Sequence, residues 1–175
     1  VVEPTDASFQ FAANFSKNGN FDGYISLGGG SVIDTCKVGN LLATYPDNLL
    51  SYVNAPIGGA RAVPGPIMPH IACPTTCGTG SEATGVAVFD LVKQNLKTGI
   101  SSIHLRPTLA LVDPLTTHSL PSGVVVSTGF DVLTHAIESF TARPYMSREK
   151  PKFSSRPTYQ GSNPFSDIGS KTAIQ

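Results

Sequence analysis

Four small residues, Gly-Gly-Gly-Ser at 28–31, constrain the fold of this chain more than any other feature. They directly follow residues 24–27, a short apolar stretch that is typical of a buried strand. They directly precede apolar positions from Val32 to Leu42 at helical spacing, which predict a helix that ends before Pro46. The sequence therefore predicts a strand that passes through a glycine turn into a helix.

Such a turn brings backbone N–H groups to the positive end of a helix, where they can cradle a phosphate. The sequence here is not GxGxxG and lacks the GK[ST] ending of a P-loop, so a tight turn selected for packing stays open as the alternative. Asp34 lies in the first helical turn. Its carboxylate is expected either to interact favourably with the helix dipole or to contact a cofactor hydroxyl.

Strand and helix signals alternate along the rest of the chain. Prolines and glycines from 45 to 69 predict a long surface connection, and the Ser- and Pro-rich segment after Tyr145 predicts a loop. Periodicity is weak beyond Tyr145, so we expect the element after that loop to be barely included. The other predicted elements are helices at 8–16 and from 124 to about 143, strands at 70–73 and 108–112, and a hairpin of 86–89 with 96–101.

The segment PTTCGTGSEATG, at 74–85, concentrates small hydroxyl side chains at the end of a predicted strand. Uncharged hydroxyls suit the polar edge of a ligand. Turns are rich in these residues in any case, so an ordinary turn is the alternative to a binding loop.

Asp131 and His135 stand four residues apart in the long predicted helix, which places both side chains on one helix face. A carboxylate with an imidazole suits iron(II) or zinc, although such ions take three or four protein ligands, and a solvated helix face is the alternative. His70, His104 and His118 are predicted to be surface histidines. Glu138, one turn beyond His135, is predicted to be solvated as well.

Composition excludes several classes of function. Lys and Arg number 12 against 12 Asp and Glu, so no basic field suits nucleic acid or an anionic membrane surface. No apolar run approaches the roughly 18 residues that span a bilayer. Cys36, Cys73 and Cys77 match neither a redox CxxC nor a zinc knuckle, which predicts ordinary thiols in a reducing compartment.

Four motifs in a fixed order carry a family resemblance over nearly the whole chain. GGGSVIDTCK, PTTCGTGSE, LVDP and GFDVLTHAIES resemble the iron-containing alcohol dehydrogenases. Within that family, the start VEPT and the stretch RPTYQGSNPFSD at 156–167 resemble the mitochondrial hydroxyacid–oxoacid transhydrogenase branch. The resemblance implies an α/β, Rossmann-like dinucleotide-binding domain at 1–118. The start of an all-helical, dehydroquinate synthase-like metal-binding domain would follow at 119–175.

The resemblance also implies cofactors and site residues. NAD would be held by residues of the glycine turn, the threonine-rich segment and the hairpin: Gly29, Gly30, Ser31, Asp34, Thr75, Thr76, Thr79, Thr84 and Lys97. Asp131 and His135 would be catalytic and would supply the first two ligands of Fe2+, with Zn2+ as the other candidate. A hydride would pass from 4-hydroxybutyrate through bound NAD to 2-oxoglutarate in the mitochondrion. The partners would be small hydroxy and 2-oxo acids, with no nucleic acid or membrane, and a homo-oligomer is left open.

The chain departs from the family pattern in its metal ligands. The family takes two further histidines from later in the helical domain, and no histidine follows His135. We therefore expect a partial chain, incomplete at both ends, and the alternative function is that of a non-catalytic fragment without a complete metal site. Arg143 and Arg148 are the nearest cationic candidates for a substrate carboxylate.

Overall fold

The structure, a computed structural model, describes residues 3–147 and 161–174. Within them, both helices and strands are present, including every strand predicted above. None of the described helices combines the length and the apolarity that spanning a bilayer requires. The elements are α1 Asp6–Gly19, β1 Tyr24–Gly28, α2 Gly30–Thr44, α3 Leu49–Tyr52, β2 His70–Pro74, β3 Val86–Leu91, β4 Leu96–Ser101, β5 Leu109–Ala110, α4 Ser122–Thr141 and α5 Pro164–Ile174.

Two sheets organise the strands. One is parallel with the order β1-β2-β5, in which Tyr24 lies opposite His70 and Gly28 lies opposite Pro74. The other is the antiparallel hairpin of β3 and β4. Because parallel strands end at the same edge, the glycine turn after β1 and the threonine-rich segment after β2 emerge side by side. The fold is α/β with a parallel sheet, as predicted.

An apolar cluster joins α1, α2 and α3 to the hairpin. Phe9 of α1 and Phe89 of β3 are fully buried, and their ring centroids are 4.9 Å apart. Val38 and Leu41 of α2 belong to the same cluster. Each such side chain contributes about 1.5–3 kcal/mol by leaving water. The core therefore fixes α2, whose first residues form the glycine turn.

The predicted surface connection at 45–69 is wrong in part. Asn48 caps α3 by accepting a hydrogen bond from the backbone N–H of Leu50 (2.9 Å), and Leu49 and Tyr52 are buried in the core. The side chain of Asn40 donates to the carbonyl of Met68 (2.7 Å) and accepts from its N–H (3.1 Å). These tertiary contacts bring a segment rich in proline and glycine into the packed body of the domain.

The prediction for the end of the chain is also wrong, because α5 runs to Ile174 and packs against α4. Asn163 and Ser166 form a reciprocal cap: the N–H of Ser166 donates to Oδ1 of Asn163 (3.1 Å), and Ser166 Oγ accepts from the N–H of Asn163 (2.8 Å). Pro164 occupies the first helical position, which proline favours. The cap and the proline favour the start of a helix at this point, although the apolar periodicity of the residues that follow is weak.

Candidate functional site

The glycine turn joins β1 to a 15-residue helix whose first turn has no side-chain cap. Gly29 is extended, with φ of −74°, and its carbonyl accepts hydrogen bonds from the N–H groups of Val32 and Ile33. The N–H groups of Gly30 and Ser31 have no partner in the described part of the chain. Two free donors at the positive end of a helix are chemically suited to an anion.

The threonine-rich segment packs directly onto this turn. The N–H of Thr75 donates to the carbonyl of Gly28 (3.0 Å). A β-carbon added at Gly29 would lie 3.3 Å from Cγ2 of Thr76, and one added at Gly30 would lie 2.7 Å from Oγ1 of Thr79. The glycines therefore permit close packing of the two segments, and the structure brings Thr75, Thr76 and Thr79 to the predicted phosphate turn.

Asp34 lies buried and bonds within the protein. Its Oδ1 is 3.1 Å from Nζ of Lys37, and its Oδ2 accepts the N–H of Val88 (2.9 Å). Lys37 is fully buried and also donates to the carbonyl of Val86 (2.7 Å). Burial lowers the pKa of Lys37, whereas Asp34 acts to raise it. The pair links α2 to the start of β3 through hydrogen bonds. Asp34 therefore has a structural role that the sequence interpretation did not include.

Thr84 and Lys97 lie at opposite ends of the hairpin. Oγ1 of Thr84 accepts a long hydrogen bond from Nζ of Lys37 (3.4 Å), which links Thr84 to α2. Lys97 pairs with Glu3 (3.0 Å) and Asp90 (3.4 Å) beside the hairpin turn. No contact among the described residues places Lys97 at the glycine turn, so its role at the cofactor stays a prediction from the resemblance.

Asp131 and His135 lie together on α4, as their spacing predicts. Nε2 of His135 is 3.7 Å from Oδ1 of Asp131, and both side chains are partly exposed, at 53% and 39%. A β-carbon added at Gly78 would lie 3.0 Å from Oδ2 of Asp131, so this carboxylate reaches the threonine-rich segment. The donor types fit iron(II) or zinc, but the described residues contain no group of three metal-binding side chains. They therefore do not form a complete metal site.

The prediction that His70 is a surface residue is wrong, because its exposed fraction is 2%. The side chain lies on the buried face of the parallel sheet, where its Nε2 is 2.8 Å from Oγ of Ser26. Burial, aided by the positive charge of Lys37, lowers the pKa of His70 to about 4. His104 is half-buried, whereas His118 and Glu138 are exposed, in line with their predictions.

The other predicted groups differ in their exposure. The three cysteines are free, and burial raises the pKa of Cys36 to about 11, which makes its thiol a poor nucleophile. Arg143 is exposed just beyond the end of α4. Arg148 lies outside the described residues.

The fold and this edge of the sheet define a class of protein. The family model for iron-containing alcohol dehydrogenase matches residues 1–114, and the chain belongs to that family.

Individual relatives agree with this membership. The chain is 55% identical to the mitochondrial hydroxyacid–oxoacid transhydrogenase of Mus musculus over 177 aligned residues. The alignment covers 99% of this chain and 38% of the mouse protein, so the chain spans well under half the length of that relative.

Solved structures share the fold. The iron-containing alcohol dehydrogenase of Thermococcus thioreducens matches with a TM-score of 0.81 and 27% identity, over 99% of this chain and 42% of that one. The sulfoacetaldehyde reductase of Bifidobacterium kashiwanohense, solved in complex with NAD+, matches with a TM-score of 0.74 and 34% identity. That match covers 82% of this chain and 37% of the reductase.

Proposed function

We propose that this chain carries the dinucleotide-binding part of an NAD-dependent oxidoreductase of the hydroxyacid–oxoacid transhydrogenase type. One observation supports the proposal above the others: the glycine turn, three threonines and the carboxylate of Asp131 meet at the carboxyl edge of a parallel sheet. Ligands of open α/β sheets bind at that edge. The related reductase solved with NAD+ supports the same choice of cofactor.

In this proposal the residues of the edge have separate tasks. The free N–H groups of Gly30 and Ser31 donate to the pyrophosphate of NAD, and the helix dipole of α2 favours its negative charge. The hydroxyls of Thr75, Thr76 and Thr79 contact the uncharged parts of the cofactor. The pair of Asp34 and Lys37 positions the start of β3, and with it Thr84, relative to α2.

The whole protein would then transfer a hydride from 4-hydroxybutyrate to 2-oxoglutarate through bound NAD in the mitochondrion. The naming of the mouse relative supports both the reaction type and the location. A bound divalent metal, iron or zinc, would supply Lewis-acid stabilisation of a substrate alkoxide. Asp131 and His135 fit two of its ligands, and no step is derived from a site that the described residues leave incomplete.

NAD titration of the chain by calorimetry tests the proposal, with Ser31→Glu as the informative variant. A carboxylate in the first turn of α2 interacts favourably with the positive end of the helix dipole but repels the pyrophosphate. The free energy of unfolding should therefore be unchanged, while NAD affinity falls about tenfold or more. Gly29→Val would be less clear, because its β-carbon would also press on Thr76. Ser122→Glu makes the same change at the start of α4 and should leave NAD affinity unchanged. Undiminished NAD affinity in Ser31→Glu would contradict the proposal.

A second candidate function follows from the metal donors. With two metal-binding side chains together in the described residues, the 175-residue chain would bind nucleotide without holding iron and would not catalyse hydride transfer. NAD binding without stoichiometric metal would favour this candidate for the 175-residue chain.

A further inference from the structure

A cavity lies at the opposite end of the parallel sheet from the glycine turn. It has a volume of about 210 Å³, and its polar lining comes from His70, His104, Arg106 and Thr108. His70 begins β2, whereas the proposed nucleotide edge begins where β2 ends at Pro74. At about 3.3 Å per residue, a five-residue strand separates the two places by roughly 13 Å.

The hydrogen bond between His70 and Ser26 favours one tautomer of the imidazole. The hydroxyl of Ser26 has no other partner among the described residues, and donation to Nε2 of His70 (2.8 Å) is the arrangement that uses its proton. The neutral ring then carries its proton on Nδ1. That atom is buried and has no hydrogen-bond partner in residues 3–147 and 161–174. An unsatisfied buried donor costs about 1–3 kcal/mol, so a ligand that accepts from it is favoured.

Arg106 and Thr108 add donors to the same cavity. Nε of Arg106 donates to the carbonyl of Ala83 (2.8 Å), which leaves both terminal nitrogens of the guanidinium without a partner in the described residues. Oγ1 of Thr108 accepts from the N–H of His70 (3.2 Å), so its own hydroxyl proton stays available. The residues that line the cavity are all described, and none of them is acidic.

We propose that this cavity binds a small oxyanion, with Arg106 supplying the charge and His70 and Thr108 supplying neutral donors. Phosphate and carboxylate ions share the required chemistry, since each offers several acceptor oxygens within a volume that the cavity holds. The proposal does not rest on NAD binding, because the two sites lie at opposite ends of the sheet.

The test titrates inorganic phosphate, and separately acetate, into chain labelled with 15N at histidine. NAD is omitted, and the Ser31→Glu variant is used so that phosphate is not taken up at the glycine turn. The ring resonances of His70 should shift saturably, whereas those of His118, an exposed residue, should not. A response to phosphate alone identifies a phosphate site, and a response to acetate alone identifies a carboxylate site. A response to both supports the shared oxyanion chemistry.

Arg106→Gln keeps the length and polarity of the side chain but removes its charge, and it should weaken the anion affinity about tenfold or more. Lys93→Gln removes a positive charge from an exposed residue outside the cavity and should leave the affinity unchanged. The proposal is overturned if neither anion shifts His70 saturably, or if Arg106→Gln binds as tightly as the unmodified chain. Thermal unfolding of each variant without anion shows that the comparison is made between folded chains.

Discussion

Buried ionisable side chains beside α2 determine how the stability of this chain responds to pH. His70 and Lys37 both lie in an environment that disfavours their charged forms. The buried charge of Lys37 is compensated by Asp34 and by the carbonyl of Val86, whereas the imidazole of His70 has, among the described residues, only the neutral hydroxyl of Ser26. His70 is therefore the residue whose protonation should oppose folding most directly.

Between pH 6.5 and pH 4, the stability of the chain should fall with decreasing pH because of His70. The pKa of His70 is about 4 in the folded chain and near 6.5 when unfolded, so the unfolded state binds more protons in this window. The loss should amount to about 3 kcal/mol over the window. Urea unfolding at several pH values measures it, and His70→Gln should flatten the dependence.

His118→Gln is the matched control for this measurement, because His118 is exposed. It should leave the pH dependence of stability unchanged. An equally steep loss of stability in His70→Gln would show that other groups are responsible.

At the scale of elements, the close contact between the glycine turn and the threonine-rich segment is the feature most sensitive to substitution. Gly30 is buried, and an added β-carbon would lie within 3.0 Å of three side-chain atoms: Oγ1 and Cγ2 of Thr79 and Oγ of Ser81. Gly123 and Gly129 in α4 have nothing within 4 Å of such a carbon. A side chain is therefore excluded by close packing at Gly30 but has room at Gly123 and Gly129.

Gly30→Ala should destabilise the chain by about 1–3 kcal/mol, because the new methyl group overlaps Thr79. Thr79→Ala removes both overlapping atoms and should restore most of the loss in the double variant, which a double-mutant cycle by urea unfolding measures. Gly123→Ala should change stability in the opposite direction by up to about 1 kcal/mol, since alanine favours the helix. Additive effects of Gly30→Ala and Thr79→Ala would contradict the overlap.

The sequence predicted the strands and the glycine turn because both depend on local patterns. Apolar stretches bounded by glycine or proline define the strands, and the glycines mark the turn between β1 and α2. The burial of His70 and the pairing of Lys37 with Asp34 depend on which faces α2 covers, and that is decided by tertiary packing. The Lys37 pair still left a signal, since opposite charges three residues apart on a helix face each other. The cap at Asn163 was likewise visible as Asn-Pro before a helix.

At the scale of the whole molecule, the incomplete set of metal donors should limit metal affinity. A divalent ion must give up part of its hydration, and two protein ligands compensate for this less than three or four. The 175-residue chain should therefore retain much less than one iron per chain after dialysis, as measured by elemental analysis. Asp131→Ala and His135→Ala should alter that content little.

His118→Ala serves as the control for the metal measurement, because His118 is exposed and lies outside α4. Stoichiometric iron that survives dialysis would contradict the two-ligand description. Loss of that iron in His118→Ala would identify His118 as the ligand that the prediction omitted.

The order of strands in the parallel sheet has a consequence for how the chain reaches its native state. Ser26 and His70, which pair across β1 and β2, are 44 residues apart, whereas the β3–β4 hairpin closes around the short turn at Val92–Gln94. Closing a long loop loses more chain entropy before any contact compensates for it, so distant strand pairs form more slowly than local ones. The hairpin and the contact of α1 with α2 should consequently precede the pairing of β1 with β2. The glycine turn and the threonine-rich segment, which follow β1 and β2, should therefore meet after the hairpin has formed, so the proposed nucleotide edge should be assembled later than the hairpin.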